Sequence, residues 1–163
     1  LNETTDIGPL VSDEQFKRVN RFLEEGHAAG AETLIGGQPI DRSGYYIPPT
    51  IFADVDREMS ISREEIFGPV LAATPFEDED DLTDIIRRAN DTEYGLAAGV
   101  WTTDLSKAHR VAHKIEAGTI WVNDYNALDA AVPFGGYKQS GYGREMGALD
   151  LYTQVKSVWV NLT

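Results

Sequence analysis

Between Pro69 and Asn123 short apolar runs alternate with amphipathic stretches, and few folds accommodate that alternation. Val70 to Ala73 is an apolar strand. "DEDDLTDIIRRAN" places Leu82, Ile85, Ile86 and Ala89 at helical spacing, and Ala97 to Thr102 is again strand-like. Asp104 to Glu116 reads as a helix closed by Gly118, and Thr119 to Asn123 as a further strand. Strands joined through helices call for parallel βαβ units with right-handed crossovers. The predicted fold class is therefore α/β.

The flanks are less regular. Ser12 followed by Gln15 is a capping-box pattern, opening a helix with Phe16, Val19, Phe22 and Leu23 on one stripe. Gly26 or Gly30 is expected to end it, and Glu32 to Ile35 runs extended into Gly36-Gly37. "GYYIPPTIFADV" is aromatic and β-branched, but Pro48-Pro49 predicts an extended, edge-like path outside the centre of a sheet. After the glycine-rich loop from Gly135 to Gly143, a short helix is expected from Arg144 to about Leu151. Val155, Val158 and Val160 alternate into a last strand with no partner in the βαβ set. This divides the chain into an α/β domain over 1–151 and a terminal pairing strand over 152–163. Leu1 is no initiator methionine and "LNETTDIGPL" reads as the middle of a connection, so a piece of a longer protein is expected.

Charge and composition exclude several functions. A formal net charge of -13 over 163 residues disfavours nucleic acid and anionic membrane surfaces, whose phosphates need Lys and Arg. No apolar run reaches the roughly 18 residues of a membrane-spanning helix, so the expectation is a soluble, cytoplasmic protein. With no cysteine there is no disulfide, thiolate metal site or cysteine nucleophile in these residues. "GYGREMG" places its third glycine at 147 rather than 146 and follows a loop, so the dinucleotide fingerprint fails. "GGYKQSG" lacks the Gly-Lys-Ser order of a phosphate loop. His109 and His113 have the spacing of a zinc pair, but no glutamate follows His109, and solvent-facing histidines are the expectation.

Two stretches stay open on their residues alone. "EEIFGPV", Glu64 to Val70, is either a loop entering a buried strand, with Phe67 in the core, or a nucleotide-holding device. In the second reading a carboxylate accepts hydrogen bonds from ribose hydroxyls and a ring flanks a flat nicotinamide. Gly68 allows close backbone approach and Pro69 sets the turn. "PFGGYKQSGYGRE" is either a structural loop or one that sets Phe134 against a cavity.

Taken with "ANDTEYGLAAGVWTTDLSKAHRVAHKIEAGTIWVN", these stretches resemble, in order, the C-terminal part of the NAD(P)-dependent aldehyde dehydrogenase superfamily. The likeness runs from "IGPLVSDEQFKRV" to "TQVKSVWVNL". It implies an enzyme that oxidises an aldehyde to a carboxylic acid through a cysteine thiohemiacetal, with NAD or NADP taking the hydride. It also implies that Glu65 holds the nicotinamide ribose with Phe67 beside it, and that Asn123, Leu128 and Phe134 line the aldehyde tunnel. Glu145 would relay protons to a general base. Backbone oxygens of Lys138 and Gly141 would carry a potassium ion in some members. The parent enzyme would be a homo-oligomer, dimer or tetramer. Nucleophile, general base and dinucleotide-binding domain lie upstream in that family, so the 163 residues alone are expected to be inactive. The alternative is a short, non-catalytic binding or assembly module of the same fold.

Overall fold

A computed structural model describes residues 3–77, 82–141 and 152–162. The chain forms two compact units, Leu1–Phe76 and Glu77–Thr163.

In the first unit, helix α1 (Asp13–Ala28) starts where the Ser12 hydroxyl accepts the Gln15 amide at 3.2 Å. The capping box closes on one side only: the Gln15 carboxamide is turned to another part of the chain. At the far end the Ala31 amide donates to Gly26 O and the Gly30 amide to His27 O, each at 3.0 Å. That is a Schellman ending, and Gly30 at φ 86° supplies its left-handed residue. Gly26 thus lies inside the helix. A Cβ there would meet the Phe52 ring at 3.0 Å, so the missing side chain lets helix and sheet approach.

Strands β1 (Glu32–Ile35), β2 (Thr50–Ala53) and β3 (Val70–Ala72) form a sheet in that order, with β1–β2 antiparallel and β2–β3 parallel. A short helix, α2 (Ser60–Arg63), lies between β2 and β3. The edge-like path expected for "GYYIPPTIFADV" is corrected here, because β2 is the central strand. Both prolines precede Thr50, so every strand residue keeps its amide, and the Thr50 amide itself donates to Pro69 O at 2.9 Å. The core is built from Val19, Phe22 and Leu23 of α1, Phe52 of β2, and Ile47, Val55, Ile61 and Ile66.

In the second unit, helix α3 (Thr83–Asn90) follows Leu82, which stands outside the helix at φ 56° with its side chain buried. The first part of the expected helix, residues 78–81, lies outside the described residues. Strand β4 (Tyr94–Gly95) precedes β5 (Ala97–Val100), helix α4 (Leu105–Lys114) and β6 (Thr119–Val122). β5, α4 and β6 make the expected parallel βαβ unit, in register from Ala97↔Thr119 to Val100↔Val122. Asp104 caps α4 by accepting the Lys107 amide at 3.0 Å. That bond, chiefly, holds its carboxyl below the usual range.

Strand β7 (Tyr137–Lys138) folds back antiparallel on β4. Among the described residues the parallel pattern is therefore confined to two ladders, β2–β3 and β5–β6, while β1–β2 and β4–β7 are antiparallel. The helix expected after Arg144 lies outside the described residues. Residues 153–162 are assigned to no strand or helix, and Val155, Val158, Trp159 and Val160 are exposed.

Candidate cofactor and substrate sites

The segment between α2 and β3 alternates. Ile66 is buried in the core, while Glu65 and Phe67 on either side of it face outward, the Phe67 ring 72% exposed. Burial of Ile66 thus forces a carboxylate and an aromatic ring to the surface together. Phe67 has φ 56°, a conformation unfavourable for a bulky side chain and maintained only where neighbours over-determine it.

Those neighbours come from α1. The Gln15 carboxamide donates to Phe67 O at 2.6 Å and to Ile66 O at 3.1 Å. Arg18 donates to Glu65 O at 2.6 Å. A Cβ on Gly68 would meet Val19 Cγ2 at 2.7 Å, so glycine is required for the loop to lie against the helix. Pro69 then passes its carbonyl to Thr50. One helix face grips three consecutive carbonyls and leaves the side chains of Glu65 and Phe67 free to meet a ligand. Among the described residues no donor pairs with the Glu65 carboxylate, and an unpaired carboxylate beside an exposed ring fits a ribose joined to a flat heterocycle.

The sequence does not mark Gln15 or Arg18 as site residues. Gln15 reads there as a capping residue, and nothing local marks either side chain as reaching a loop some fifty positions away.

In the second unit, Asn123 directly follows β6 at φ 54°. Its carboxamide accepts from the Thr102 amide and donates to Thr102 O, both at 2.9 Å. The Asn123 amide also donates to Val100 O at 2.8 Å. The side chain therefore prolongs the β5–β6 ladder past its last backbone pair, and both ends of the carboxamide are occupied by protein. The carboxamide keeps a second N–H and a second oxygen lone pair for a contact with substrate. Asn123→Ala should lower stability by about 1–2 kcal/mol through the two lost bonds, read from the urea midpoint. An unshifted midpoint would show that the clamp contributes nothing.

Beyond Asn123 the chain turns through Asn126 at φ 60°. The Trp121 indole donates to Ala127 O at 2.8 Å, and its ring lies 5.4 Å from that of Tyr125. Leu128 is 61% and Phe134 44% exposed, so the two apolar residues expected along the tunnel are both available. Asp124 turns its carboxylate to the Tyr125 amide at 2.7 Å. Lys138 and Gly141 both have positive φ, 52° and 145°. The Lys138 ammonium meets Glu116 Oε2 at 2.7 Å and the carbonyls of Asn90 and Thr92. His109 and His113 are exposed, and among the described residues no group of three or more metal-ligating side chains gathers. Glu145 lies outside the described residues.

Residues 1–158 match the aldehyde dehydrogenase family, and the chain belongs to it. DhaS of Bacillus subtilis (strain 168) is 57% identical over 164 residues, covering 99% of this chain and 32% of that protein. A betaine aldehyde dehydrogenase of Rhizobium leguminosarum bv. trifolii is 50% identical, over 99% of this chain and 34% of its own length. Among solved structures, the NAD+ complex of an aldehyde dehydrogenase from Bacillus cereus is 51% identical with a TM-score of 0.86. It covers 99% of this chain, which covers 33% of it. The chain thus spans about a third of the length of the relatives it matches.

Proposed function

We propose that these 163 residues are the C-terminal part of an NAD(P)-dependent aldehyde dehydrogenase that oxidises an aldehyde to a carboxylic acid. The observation that carries this reading is the outward pair Glu65 and Phe67, set either side of buried Ile66 and held through its backbone by Gln15 and Arg18. Glu65 accepts the hydroxyls of the nicotinamide ribose, and the Phe67 ring limits how far the heterocycle can swing. The bound dinucleotide supplies the hydride acceptor. NAD is favoured as cofactor by the similar structures determined with NAD+.

The second unit contributes the aldehyde side. Leu128 and Phe134 form an apolar wall, and Asn123 positions the chain that carries them by its clamp on Thr102. Glu145 relays protons toward a general base supplied by the rest of the protein. Residues 152–163, which are in no strand in the isolated chain where described, take up strand pairing when subunits of a cytoplasmic homo-oligomer associate. Exposed Val155, Val158 and Val160 supply the apolar side chains for that pairing.

The covalent step needs a thiolate, and these residues include no cysteine. The experiment compares the isolated chain with a polypeptide that supplies the other two thirds of the family's length. Aldehyde-dependent NAD reduction is expected from the second and none from the first. An inactive complete polypeptide would overturn the proposal, and steady turnover by the isolated chain would overturn its division of labour.

A further inference from the structure

The Lys138 ammonium has three N–H donors, and three protein oxygens surround it. They are Glu116 Oε2 at 2.7 Å, Asn90 O at 2.8 Å and Thr92 O at 3.1 Å. Its side chain is only 25% exposed. Asn90 is the last residue of α3, where carbonyls lack helical partners and the helix dipole is negative. The same Asn90 uses its side chain to join a second element, donating to Lys114 O at 2.9 Å and accepting the Glu116 amide at 2.8 Å. One point therefore ties the end of α3, the connection from α4 to β6, and the glycine-rich loop.

That loop begins immediately after Phe134. Gly135 lies so close to Gly118 that a Cβ on Gly118 would overlap Gly135 O. Further along, the Gln139 amide donates to Glu93 O at 2.9 Å and the Gly95 amide to Ser140 Oγ at 3.0 Å. Gly136 is buried, and a Cβ there would meet Ser140. Lys138 sits at the centre of these attachments with φ 52°, a backbone state that its three side-chain bonds help to hold.

We propose that the Lys138 ammonium is a built-in cation that positions the Phe134 wall by drawing the glycine-rich loop onto the α3–α4 junction; its effect on substrate rests on the aldehyde dehydrogenase reading above. A compact tetrahedral ammonium matches three oxygens converging on one point. A planar guanidinium, with donors spread over a fork, does not. Lys138 is thus a positioning residue that acts through Phe134.

The test uses Lys138→Met, which keeps an apolar stem but removes the donors, and Lys138→Ala, which leaves space for n-propylammonium. Amide hydrogen exchange of Gln139 and Gly95 in the chain should quicken by about tenfold or more in both variants, with the α1 amides unchanged. Added n-propylammonium should restore protection in Lys138→Ala, while tetramethylammonium, equal in charge but without N–H donors, should not. In the complete enzyme the KM for aldehyde should rise about fivefold or more with the KM for NAD unchanged. Wild-type protection in Lys138→Met, or equal rescue by both cations, overturns the built-in cation. Lost protection with an unchanged KM for aldehyde overturns its role in positioning. If the wild-type complete polypeptide oxidises no aldehyde, the functional reading fails, and exchange alone decides the ammonium.

Discussion

Replacing Phe52 by alanine is expected to destabilise the first unit by about 3–5 kcal/mol, the range for emptying a buried aromatic site. Phe52 has no exposed surface and lies in β2, the central strand. Its ring meets the His27 ring edge-on at 5.3 Å and lies against the place where Gly26 has no side chain. The surroundings cannot close readily around the gap, because β2 is bonded on both sides, to β1 and to β3. Leu71, next door on β3 but 57% exposed, is the control, and Leu71→Ala should change stability by no more than about 0.5 kcal/mol. Urea unfolding of the two variants measures the contrast. Equal, small shifts in both would mean that the β2 face is not the centre of the core. The substitution also has a functional reach. Ile66 belongs to the same core, so loosening it loosens the backbone that presents Glu65 and Phe67.

The second large effect concerns Glu65 itself. In the complete enzyme, Glu65→Ala should weaken nicotinamide handling by about 1.5–3 kcal/mol, the range for a hydrogen bond to a charged group. This corresponds to roughly tenfold to a hundredfold in the KM for NAD or in kcat, since each 1.4 kcal/mol is a factor of about ten. The fold should be unaffected, because the carboxylate is exposed and it is the Glu65 carbonyl that Arg18 holds. Gln15→Ala separates presentation from chemistry. It leaves the carboxylate intact but releases Ile66 O and Phe67 O, so a smaller loss in the same direction is expected. An unchanged KM for NAD and unchanged kcat in Glu65→Ala would remove Glu65 from the cofactor site.

How far these residues could be read in advance depends on the range over which each signal acts. The cap Ser12, the stripe Phe16, Val19, Phe22 and Leu23, and the βαβ unit of β5, α4 and β6 are all carried by spacings within a few turns. The same holds for the alternation in "EEIFGPV", although periodicity could not tell whether Ile66 or Phe67 faced the core. Here the family resemblance pointed outward for Phe67, and the burial of Ile66 agrees. Pro48-Pro49 misled for the opposite reason. Their constraint is local and real, but it ends at Thr50, and the partners that make β2 central come from residues 32–35 and 70–72.

The amino-acid order by itself determined helices α1 and α4, the Ser12 cap, strands β1, β3, β5 and β6, the absence of a cysteine nucleophile, and the motifs that mark the family. Each follows from neighbours along the chain or from composition. Only the tertiary structure decided that Gln15 and Arg18 grip the loop before β3, that the Asn123 carboxamide lengthens a ladder, and that Lys138 joins three segments. Those contacts span from 21 to 52 positions. They also hold Phe67 and Lys138 at positive φ, against the local preference of each residue. No short window of sequence predicts a backbone state that its own residues disfavour. Such a state persists because distant packing and hydrogen bonds outweigh its local penalty of about 1–3 kcal/mol.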